Sequence, residues 1–315
     1  MQKVIITGAN GFIGSHLVKR VNEMGVEVIA LVDPRFDYSS IRQLPGITII
    51  AFSLQDIESL YSDGRLAGAD IIYHLAWAGV HATYRNNEDE QLQNIKYSLD
   101  VLKLAEQIHC PKVLIPGSAA EVSCGDGMIT GKESPAPSDI YSATKVATRY
   151  LCQTYARQHA ITLVWPLITS IYGPGRDDNN LISYAIKSLL KAEKPSFTKL
   201  EQQWDYLYID DLIEALVALG DKGQSGVYPI GSGEHRKMSE YVEIIRQLIN
   251  PSLPLGIGDL PYKNPNKIDN QIMDISALKR DTDFSPRISF EEGISRTIDY
   301  FRGRACYLLK QNNNN

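Results

Sequence analysis

The sequence predicts an α/β protein built on a Rossmann-type, doubly wound parallel sheet with a smaller C-terminal α/β substrate lobe. Two observations carry this prediction. A glycine-rich turn near residue 8 joins an apolar strand to an amphipathic helix, and apolar runs then alternate with helical patterns to about residue 166. Strands that are apolar along their whole length are typical of parallel sheets covered by helices on both faces. We therefore expect a Rossmann domain at 1–166, an interwoven substrate lobe at 167–310 and a disordered polar tail at 311–315.

The glycine turn has the spacing G-x-x-G-x-x-G. Gly8 is expected to make the tight turn, Gly11 to let a pyrophosphate approach the backbone, and Gly14 to bring the helix close to the sheet. The phosphates of a dinucleotide would then bind the free N–H groups at the start of the helix. The predicted dinucleotide turn comprises Gly8, Asn10, Gly11, Phe12, Ile13 and Gly14.

The remaining elements follow in the same alternation. Strands are expected at 26–32, 47–52, 71–76, 113–118 and 161–165, and long helices at about 88–108 and 140–159. Apolar residues three or four apart in the first long helix predict a core-facing stripe of Leu92, Ile95, Leu99, Leu102 and Ala105. Beyond residue 167 the elements become shorter, with a loop at 172–175, a helix at 181–191, a strand at 206–209 and a helix at 210–219.

Composition limits the class of protein. The formal net charge of −5 gives no basic surface, which argues against a nucleic-acid partner. No apolar run approaches the roughly 20 residues of a membrane helix, and Met1 leads directly into the first strand without a signal-peptide pattern. The four cysteines are scattered without metal-ligand spacing, as expected for reduced thiols. These features predict a cytoplasmic protein with no bound metal and no membrane partner.

Tyr141 and Lys145 carry the predicted chemistry, because a spacing of four places both side chains on one face of the second long helix. A free tyrosine ionises near pH 10, and a neighbouring ammonium favours its phenolate. The pair can therefore exchange a proton with an oxygen whose carbon exchanges a hydride with a nicotinamide.

Several motifs together resemble the extended short-chain dehydrogenase/reductase family of nucleotide-sugar epimerases, dehydratases and reductases. They are the glycine turn, His74-Leu75-Ala76, the Tyr141 and Lys145 pair, Tyr172-Gly173-Pro174-Gly175 and Asp205-Tyr206-Leu207-Tyr208-Ile209-Asp210-Asp211. The resemblance covers nearly the whole chain. It implies that the backbone of Leu75 and Ala76 lines the dinucleotide, and that His74 is a packed residue.

The resemblance also implies a homodimer formed through the two long helices. Tyr97, Val101 and Leu104 lie three or four apart on the side of the first helix away from the stripe, and they are the expected contact face. The alternative is that they pack beneath a loop of the same chain.

Further segments resemble the CDP-hexose 4-ketoreductases of the abequose and paratose type. They are His74-Leu75-Ala76-Trp77, Arg85-Asn86-Asn87, Leu92-Gln93-Asn94 and Trp204-Asp205-Tyr206-Leu207-Tyr208. The preferred reaction is therefore reduction of a nucleotide-linked 4-keto-hexose, with Tyr141 as the proton donor. Lys145 would support Tyr141 and the ribose, and Ser118 would polarise the carbonyl. The alternatives are a 4-epimerase that uses the same residues and a non-catalytic NAD(P)-sensing protein of the same fold.

The chain departs from the family at the third catalytic residue. Ala119 stands at the usual hydroxyl position, with Ser118 one residue earlier. Ser118 can replace the missing hydroxyl or bind only the local backbone. Ala120 stands where the family's 4,6-dehydratases carry Asp, which disfavours dehydration. Glu121 is then either a structural carboxylate or a general base.

On the substrate side, the predicted binding residues are Trp77, Glu121, Ser170 and Arg176. Ser170 replaces a common Asn, and Trp204 replaces a common Arg. Arg176 is either a replacement phosphate contact or a surface charge. Trp204 either stacks on a base or sugar or fills the core, and the core is favoured.

The cofactor expected is NAD(P)(H), with NADP(H) slightly favoured. Asp33 lies near the end of the second strand, where an acidic residue binds the ribose 2′-OH and selects NAD. A count from Gly25 instead places Val32 at that position, and successive strand residues face opposite ways. In that arrangement Asp33 turns away, and Arg35 pairs with a 2′-phosphate.

Overall fold

The computed structural model describes residues 1–80, 83–125, 127–176, 180–262 and 270–312, with side chains described to residue 304. The strands are β1 (Lys3–Thr7), β2 (Glu27–Val32), β3 (Ile47–Ala51), β4 (Ile71–His74), β5 (Lys112–Leu114), β6 (Gly117–Ser118), β7 (Thr162–Ile168), β8 (Ser170–Tyr172), β9 (Ser196–Phe197), β10 (Gln203–Trp204), β11 (Tyr206–Tyr208), β12 (Gly226–Ile230), β13 (Arg236–Lys237) and β14 (Gly256–Ile257). The helices are α1 (Phe12–Glu23), α2 (Ser39–Arg42), α3 (Glu88–Gln107), α4 (Ile140–Gln158), α5 (Leu181–Leu190), α6 (Ile209–Lys222), α7 (Met238–Ile249), α8 (Ser276–Thr282) and α9 (Phe290–Asn312).

The central sheet is parallel, with the strand order β12-β7-β5-β4-β1-β2-β3, and β6 also pairs with β7. Thr7 lies in register with Leu31 on one side and with His74 on the other. The strand order reverses direction at β1 and β4, which is where α/β sheets of this kind bind ligands. The predicted Rossmann-type class is confirmed.

The strands are apolar throughout because both faces of the sheet are covered. Val4 and Ile6 of β1 belong to one buried cluster, together with Leu17 of α1. Ile5, between them, belongs to a second cluster on the opposite face, together with Leu102 of α3. Successive side chains of a strand face opposite ways, so burial on both sides requires an unbroken apolar run.

The smaller lobe is formed by the short sheets β8–β11, β10–β13 and β9–β14, with α5, α7 and α9 packed around them. It is interwoven with the Rossmann part, since β7 crosses residue 166 and β12 returns to the central sheet. Asp211 of α6 accepts hydrogen bonds from the N–H groups of Arg287 and Ile288, which joins the two halves. α9 continues to Asn312, into the expected tail, and residues 313–315 lie outside the described residues.

The core-facing stripe predicted for α3 is wrong in the first half of the helix. Gln91, Asn94 and Ser98 are buried there, whereas Leu92 is 59% exposed. The first turns of α3 face the loop after β4, and the peptide groups of that loop need polar partners. Leu102 is buried as predicted.

The expected dimer face is also wrong, because Val101 and Leu104 are fully buried in the same chain. The large apolar side chains that the described parts of α3 and α4 expose are Leu92, Tyr150 and Leu151. Within the described part of the chain, no helix is both long and apolar enough to cross a membrane.

If the long helices form a homodimer, this exposed apolar surface is where the contact belongs. We expect the wild-type protein to be a dimer at micromolar concentration, and Leu92→Glu combined with Leu151→Glu to be a folded monomer. Sedimentation velocity would measure both masses. A wild-type monomer, or a double variant that remains dimeric, would contradict a dimer at this surface.

Candidate active site

The turn after β1 is held against the chain that follows β4. Gly8 has a φ of +65°, and a Cβ there would lie 2.7 Å from the Ala76 backbone nitrogen. A Cβ at Gly14 would overlap the Gly8 carbonyl oxygen, so α1 begins in direct contact with the turn. These two positions accept only glycine without displacement of the backbone. The turn has the geometry predicted for a dinucleotide site, with Leu75 and Ala76 beside it.

The start of α1 has room for an anionic group. Gly11 is the N-cap of this helix with extended backbone, and a Cβ there would lie 3.2 Å from the Gly8 carbonyl oxygen. Phe12 and Ile13 follow in the first turn, which contains no acidic residue. Free N–H groups and the positive end of the helix dipole favour phosphate at such a position. The residues present therefore fit a dinucleotide.

A cavity of about 760 Å³ extends from this turn over the ends of β4 and β6. The predicted site residues in its wall are Gly8, Gly11, Phe12, Ile13, Gly14, Leu75, Trp77, Ser118, Tyr141, Lys145, Ser170 and Arg176. The other predicted site residues lie outside this wall: Asn10, Asp33, Arg35, Ala76 and Glu121. One continuous space thus connects the dinucleotide turn with the tyrosine and lysine.

Tyr141 and Lys145 share one face of α4, as predicted, but their environments differ. Burial raises the pKa of Tyr141, and the nearby Ser118 side chain opposes this rise. Lys145 Nζ donates to the Pro116 carbonyl at 2.7 Å and lies 3.3 Å from the centroid of the Trp77 ring. Burial lowers the pKa of Lys145 to about 7.

Ser118 is the hydroxyl residue beside Ala119. It ends β6 and caps the short 3₁₀ turn Ala119–Glu121, where its oxygen accepts from the Ala120 N–H at 3.2 Å. The local backbone role weighed for Ser118 is therefore present, and the same side chain lines the cavity with Tyr141. Ala119 is buried in the core.

Glu121 is not a substrate-binding residue. It is fully buried beneath the cavity, and its Oε1 accepts from the Ser118 backbone N–H at 2.9 Å and from Trp165 Nε1 at 3.1 Å. Its Oε2 lies 3.4 Å from Nε of Arg149. Burial raises the pKa of Glu121. This carboxylate is structural, because it points below the loop that carries Ser118.

The substrate side of the cavity contains Trp204, which sequence reasoning placed in the core. Trp204 is half-buried in the cavity wall, and its Nε1 donates to Ser170 Oγ at 2.9 Å. Arg176 also lies in the wall and donates to the Ile171 carbonyl at 2.7 Å. A tryptophan, a hydroxyl and a guanidinium therefore line this side of the cavity.

His74 is a packed residue, as expected. It is buried between Thr7 Oγ1, at 2.8 Å from Nδ1, and Ser98 Oγ, at 3.3 Å from Nε2. Burial and the charge of Lys145 lower its pKa to about 3, so the ring is neutral. Thr7 Oγ1 also accepts from the Ala76 N–H at 3.3 Å, which fixes the backbone beside Gly8.

The arrangement favoured at the end of β2 is wrong, since Val32 is fully buried and does not face a ribose. Asp33 follows it with a partly exposed carboxylate, and Asn10 Nδ2 donates to the Asp33 carbonyl at 3.3 Å. Arg35 is bound to that carboxylate through Nε at 3.0 Å and Nη2 at 2.5 Å. The arginine lowers the pKa of Asp33. Asp33, not Val32, is therefore next to the dinucleotide turn.

Sequence reasoning assigned no role to the residues that shape the loop after β4. Asn94 bonds both the N–H and the carbonyl of Ala78, and Gln91 donates to the Gly79 carbonyl at 2.8 Å. Arg85 lines the cavity and contacts Tyr141. Polar residues at 91, 94 and 98 repeat at helical spacing, and that pattern was the available signal.

The fold and the glycine turn are those of a dinucleotide-dependent enzyme. The chain belongs to the NAD dependent epimerase/dehydratase family, which matches residues 4–231. It is an NAD(P)-dependent enzyme of that family. Membership of this family of enzymes argues against the non-catalytic alternative.

Relatives across nearly the whole chain agree with this family. UDP-glucuronic acid decarboxylase 1 of Arabidopsis thaliana is 27% identical over 314 residues, which cover 96% of this chain and 70% of that protein. A probable UDP-glucuronate 4-epimerase of Rhizobium meliloti is 26% identical over 340 residues, covering 95% of this chain and 96% of that protein.

Solved structures establish the same fold. UDP-glucose 4-epimerase of Thermotoga maritima, solved with UDP-glucose, superposes with a TM-score of 0.85 at 22% identity, covering 96% of this chain and all of that one. UDP-glucuronic acid 4-epimerase of Bacillus cereus, solved with UDP-glucuronic acid and NAD, has a TM-score of 0.83 at 23% identity, covering 96% and 99%.

Burial of Lys145 predicts a dependence of stability on pH. Its lowered pKa means that the folded protein holds this proton less tightly than the unfolded chain does. The charge therefore costs stability below about pH 7, and the cost fades as pH rises from there toward 10.5. We expect Lys145→Met to abolish turnover yet raise the free energy of unfolding by about 1–3 kcal/mol at pH 6, and by less at pH 9.

Urea unfolding at both pH values measures this difference. Lys279→Met removes an exposed lysine of α8 and should change stability little at either pH. A lower free energy of unfolding at pH 6 in Lys145→Met would show that the buried Lys145 ammonium does not destabilise the folded protein.

Proposed function

We propose that the protein interconverts an alcohol and a ketone at C4 of a nucleotide-linked hexose, and that 4-epimerisation is the reaction. The observation that carries this proposal is the single cavity that joins the glycine turn to the Tyr141–Ser118 pair. Hydride transfer at one end and proton transfer at the other are what oxidation of a sugar hydroxyl requires. Relatives named as 4-epimerases support the sugar and the position.

The residues divide this chemistry between them. The Tyr141 phenolate takes the proton from the sugar O4 and, as the hydroxyl that results, returns it, with the Ser118 hydroxyl holding the same oxygen. Lys145 lines the passage between the turn and Tyr141, where its ammonium can hold a ribose and favour the phenolate. NAD(P)(H), when bound, supplies or accepts the hydride. Gly11 and the first turn of α1 would hold its pyrophosphate.

Reduction of a 4-keto-hexose is the second candidate. The residues behind the resemblance to 4-ketoreductases include Trp77, Arg85 and Trp204, and all three line the cavity. A reductase releases its oxidised cofactor after each turnover, whereas an epimerase returns the hydride to the other face of the same sugar and keeps the cofactor. The two activities therefore differ in what the purified protein retains.

The preferred cofactor in this proposal is NAD(H). The preference for NADP(H) rested on the resemblance to the 4-ketoreductases, which are similar to NADPH enzymes, and on Val32 facing the ribose, and Val32 is buried. Asp33 supports NAD, since a carboxylate accepts from the ribose 2′-OH and repels a 2′-phosphate. A cytoplasmic location is also proposed, in keeping with the reduced thiols of Cys110 and Cys152.

The function is tested with UDP-, dTDP- and CDP-linked hexoses and their 4-keto forms. We expect the purified protein to release NAD on denaturation and to form the 4-epimer without net consumption of added cofactor. Tyr141→Phe should lower turnover at least about 100-fold while leaving cofactor affinity intact. Tyr150→Phe, on the exposed face of the same helix, is the matched control.

Stoichiometric oxidation of NADPH with a 4-keto substrate would establish the reductase instead. Near-normal turnover in Tyr141→Phe would contradict the assignment of Tyr141 for either reaction.

The choice of cofactor depends on the Asp33–Arg35 pair. Asp33→Ser removes the acceptor for the 2′-OH and releases Arg35 toward a 2′-phosphate. We expect the ratio of NADP(H) to NAD(H) affinity to rise at least about tenfold, as measured by fluorescence titration. Asp63→Ser breaks the similar Asp63–Arg65 pair away from the cavity and should leave the ratio unchanged. An unchanged ratio of affinities in Asp33→Ser would show that Asp33 does not discriminate between NAD(H) and NADP(H).

A further inference from the structure

Two cations lie near Tyr141, and the closer one is not the lysine of the motif. The Arg85 guanidinium carbon is 4.3 Å from the centroid of the Tyr141 ring, whereas Lys145 Nζ is 5.9 Å away. Lys145 Nζ is committed to the Pro116 carbonyl and the Trp77 ring. Arg85 is therefore the positive charge that acts most directly on the tyrosine.

The fold holds Arg85 there without any ligand. Arg85 Nε donates to Asp139 Oδ2 at 2.7 Å, and the Asp139 side chain caps α4, the helix that carries Tyr141. The neighbouring Asn86 Oδ1 accepts from the Ile140 N–H at 3.1 Å. Both contacts fasten the loop after β4 to the first turn of α4, so the arginine and the tyrosine are positioned by the same helix end.

We propose that Arg85 is a positioning residue for the reaction, whose guanidinium stabilises the Tyr141 phenolate through stacking on its ring. A cation over an aromatic face is attracted to the ring, and this attraction strengthens when the ring carries negative charge. Arg85 acts through Tyr141 and not on the sugar. Its importance for turnover rests on the proposed function, but its effect on the ionisation of Tyr141 does not.

The charges around Tyr141 fix the sign of the effect. The groups that act on Tyr141 besides Arg85 are Ser118, Glu121, Asp139 and Lys145. Burial raises the pKa of Tyr141, the Ser118 side chain and Arg85 lower it, and the two carboxylates raise it. Removal of Arg85 takes away a cation and leaves Asp139 unpaired, and both changes favour the neutral tyrosine.

The test titrates Tyr141 directly. Protein uniformly labelled with 3-fluorotyrosine, which ionises at lower pH than tyrosine, is followed by ¹⁹F NMR, and the Tyr141→Phe spectrum assigns the resonance. Arg85→Gln should raise the pKa of fluorotyrosine 141 by about one unit. Asp139→Asn should lower it, because asparagine still caps the helix but carries no charge. Arg65→Gln, from the similar Arg65–Asp63 pair, should leave it unchanged.

An unchanged or lowered pKa in folded Arg85→Gln would overturn the proposal. If Arg85→Gln does not fold, Asp139→Asn decides, since the absence of a downward shift there would overturn it equally. With a substrate that the enzyme turns over, the acidic limb of the profile of kcat against pH should move to higher pH in Arg85→Gln. The size of this move should match the rise in the pKa of fluorotyrosine 141. Failure of the wild type to turn over any nucleotide sugar would refute the proposed function and leave the titration result standing.

Discussion

The site depends on the close backbone contact between the turn after β1 and the chain after β4. Gly8, in its left-handed conformation, lies against Ala76, and Thr7 bonds the Ala76 N–H from below. Any Cβ at Gly8 would push these segments apart. The same contact determines the path of the chain after Ala76, and it therefore places the Trp77 ring over Lys145 Nζ. One tight turn thus fixes both the end of the cavity at Gly8 and the end at Lys145.

The loop that carries Ser118 lies on buried charged groups, which lowers stability. Lys145, Glu121 and Arg149 are each at most 5% exposed, beside the apolar Trp165. Burial raises the pKa of Glu121 and lowers the pKa of Lys145, so each group resists its charged form. Apolar residues of similar volume are often more stable in such positions. The cluster holds Ser118 through its backbone N–H, so the loop geometry is maintained at a cost in stability.

Periodicity predicted the central sheet well, because burial on both faces leaves little choice in the strands. The expected strand at 71–76 and the observed β4 (Ile71–His74) differ only where the chain leaves the sheet. Periodicity failed in α3, where Gln91 and Asn94 are buried to satisfy the peptide groups of 78 and 79. A helix that covers a loop instead of a strand needs polar residues inward. The sequence alone does not show which element a helix will cover.

One further error concerns a single residue at the carboxyl end of a strand. The favoured arrangement turned Val32 toward the ribose at the end of β2, whereas Val32 is buried and Asp33 lies beside the dinucleotide turn. Inside a strand the alternation of faces is enforced by the core on both sides. This alternation ends where strand pairing ends, and hydrogen bonds in the following turn then determine which side chain faces away from the core. Ligands of parallel α/β sheets bind at these strand ends. Residues at such positions, among them Asp33 and Ser118, are therefore the ones whose orientation depends most on three-dimensional contacts.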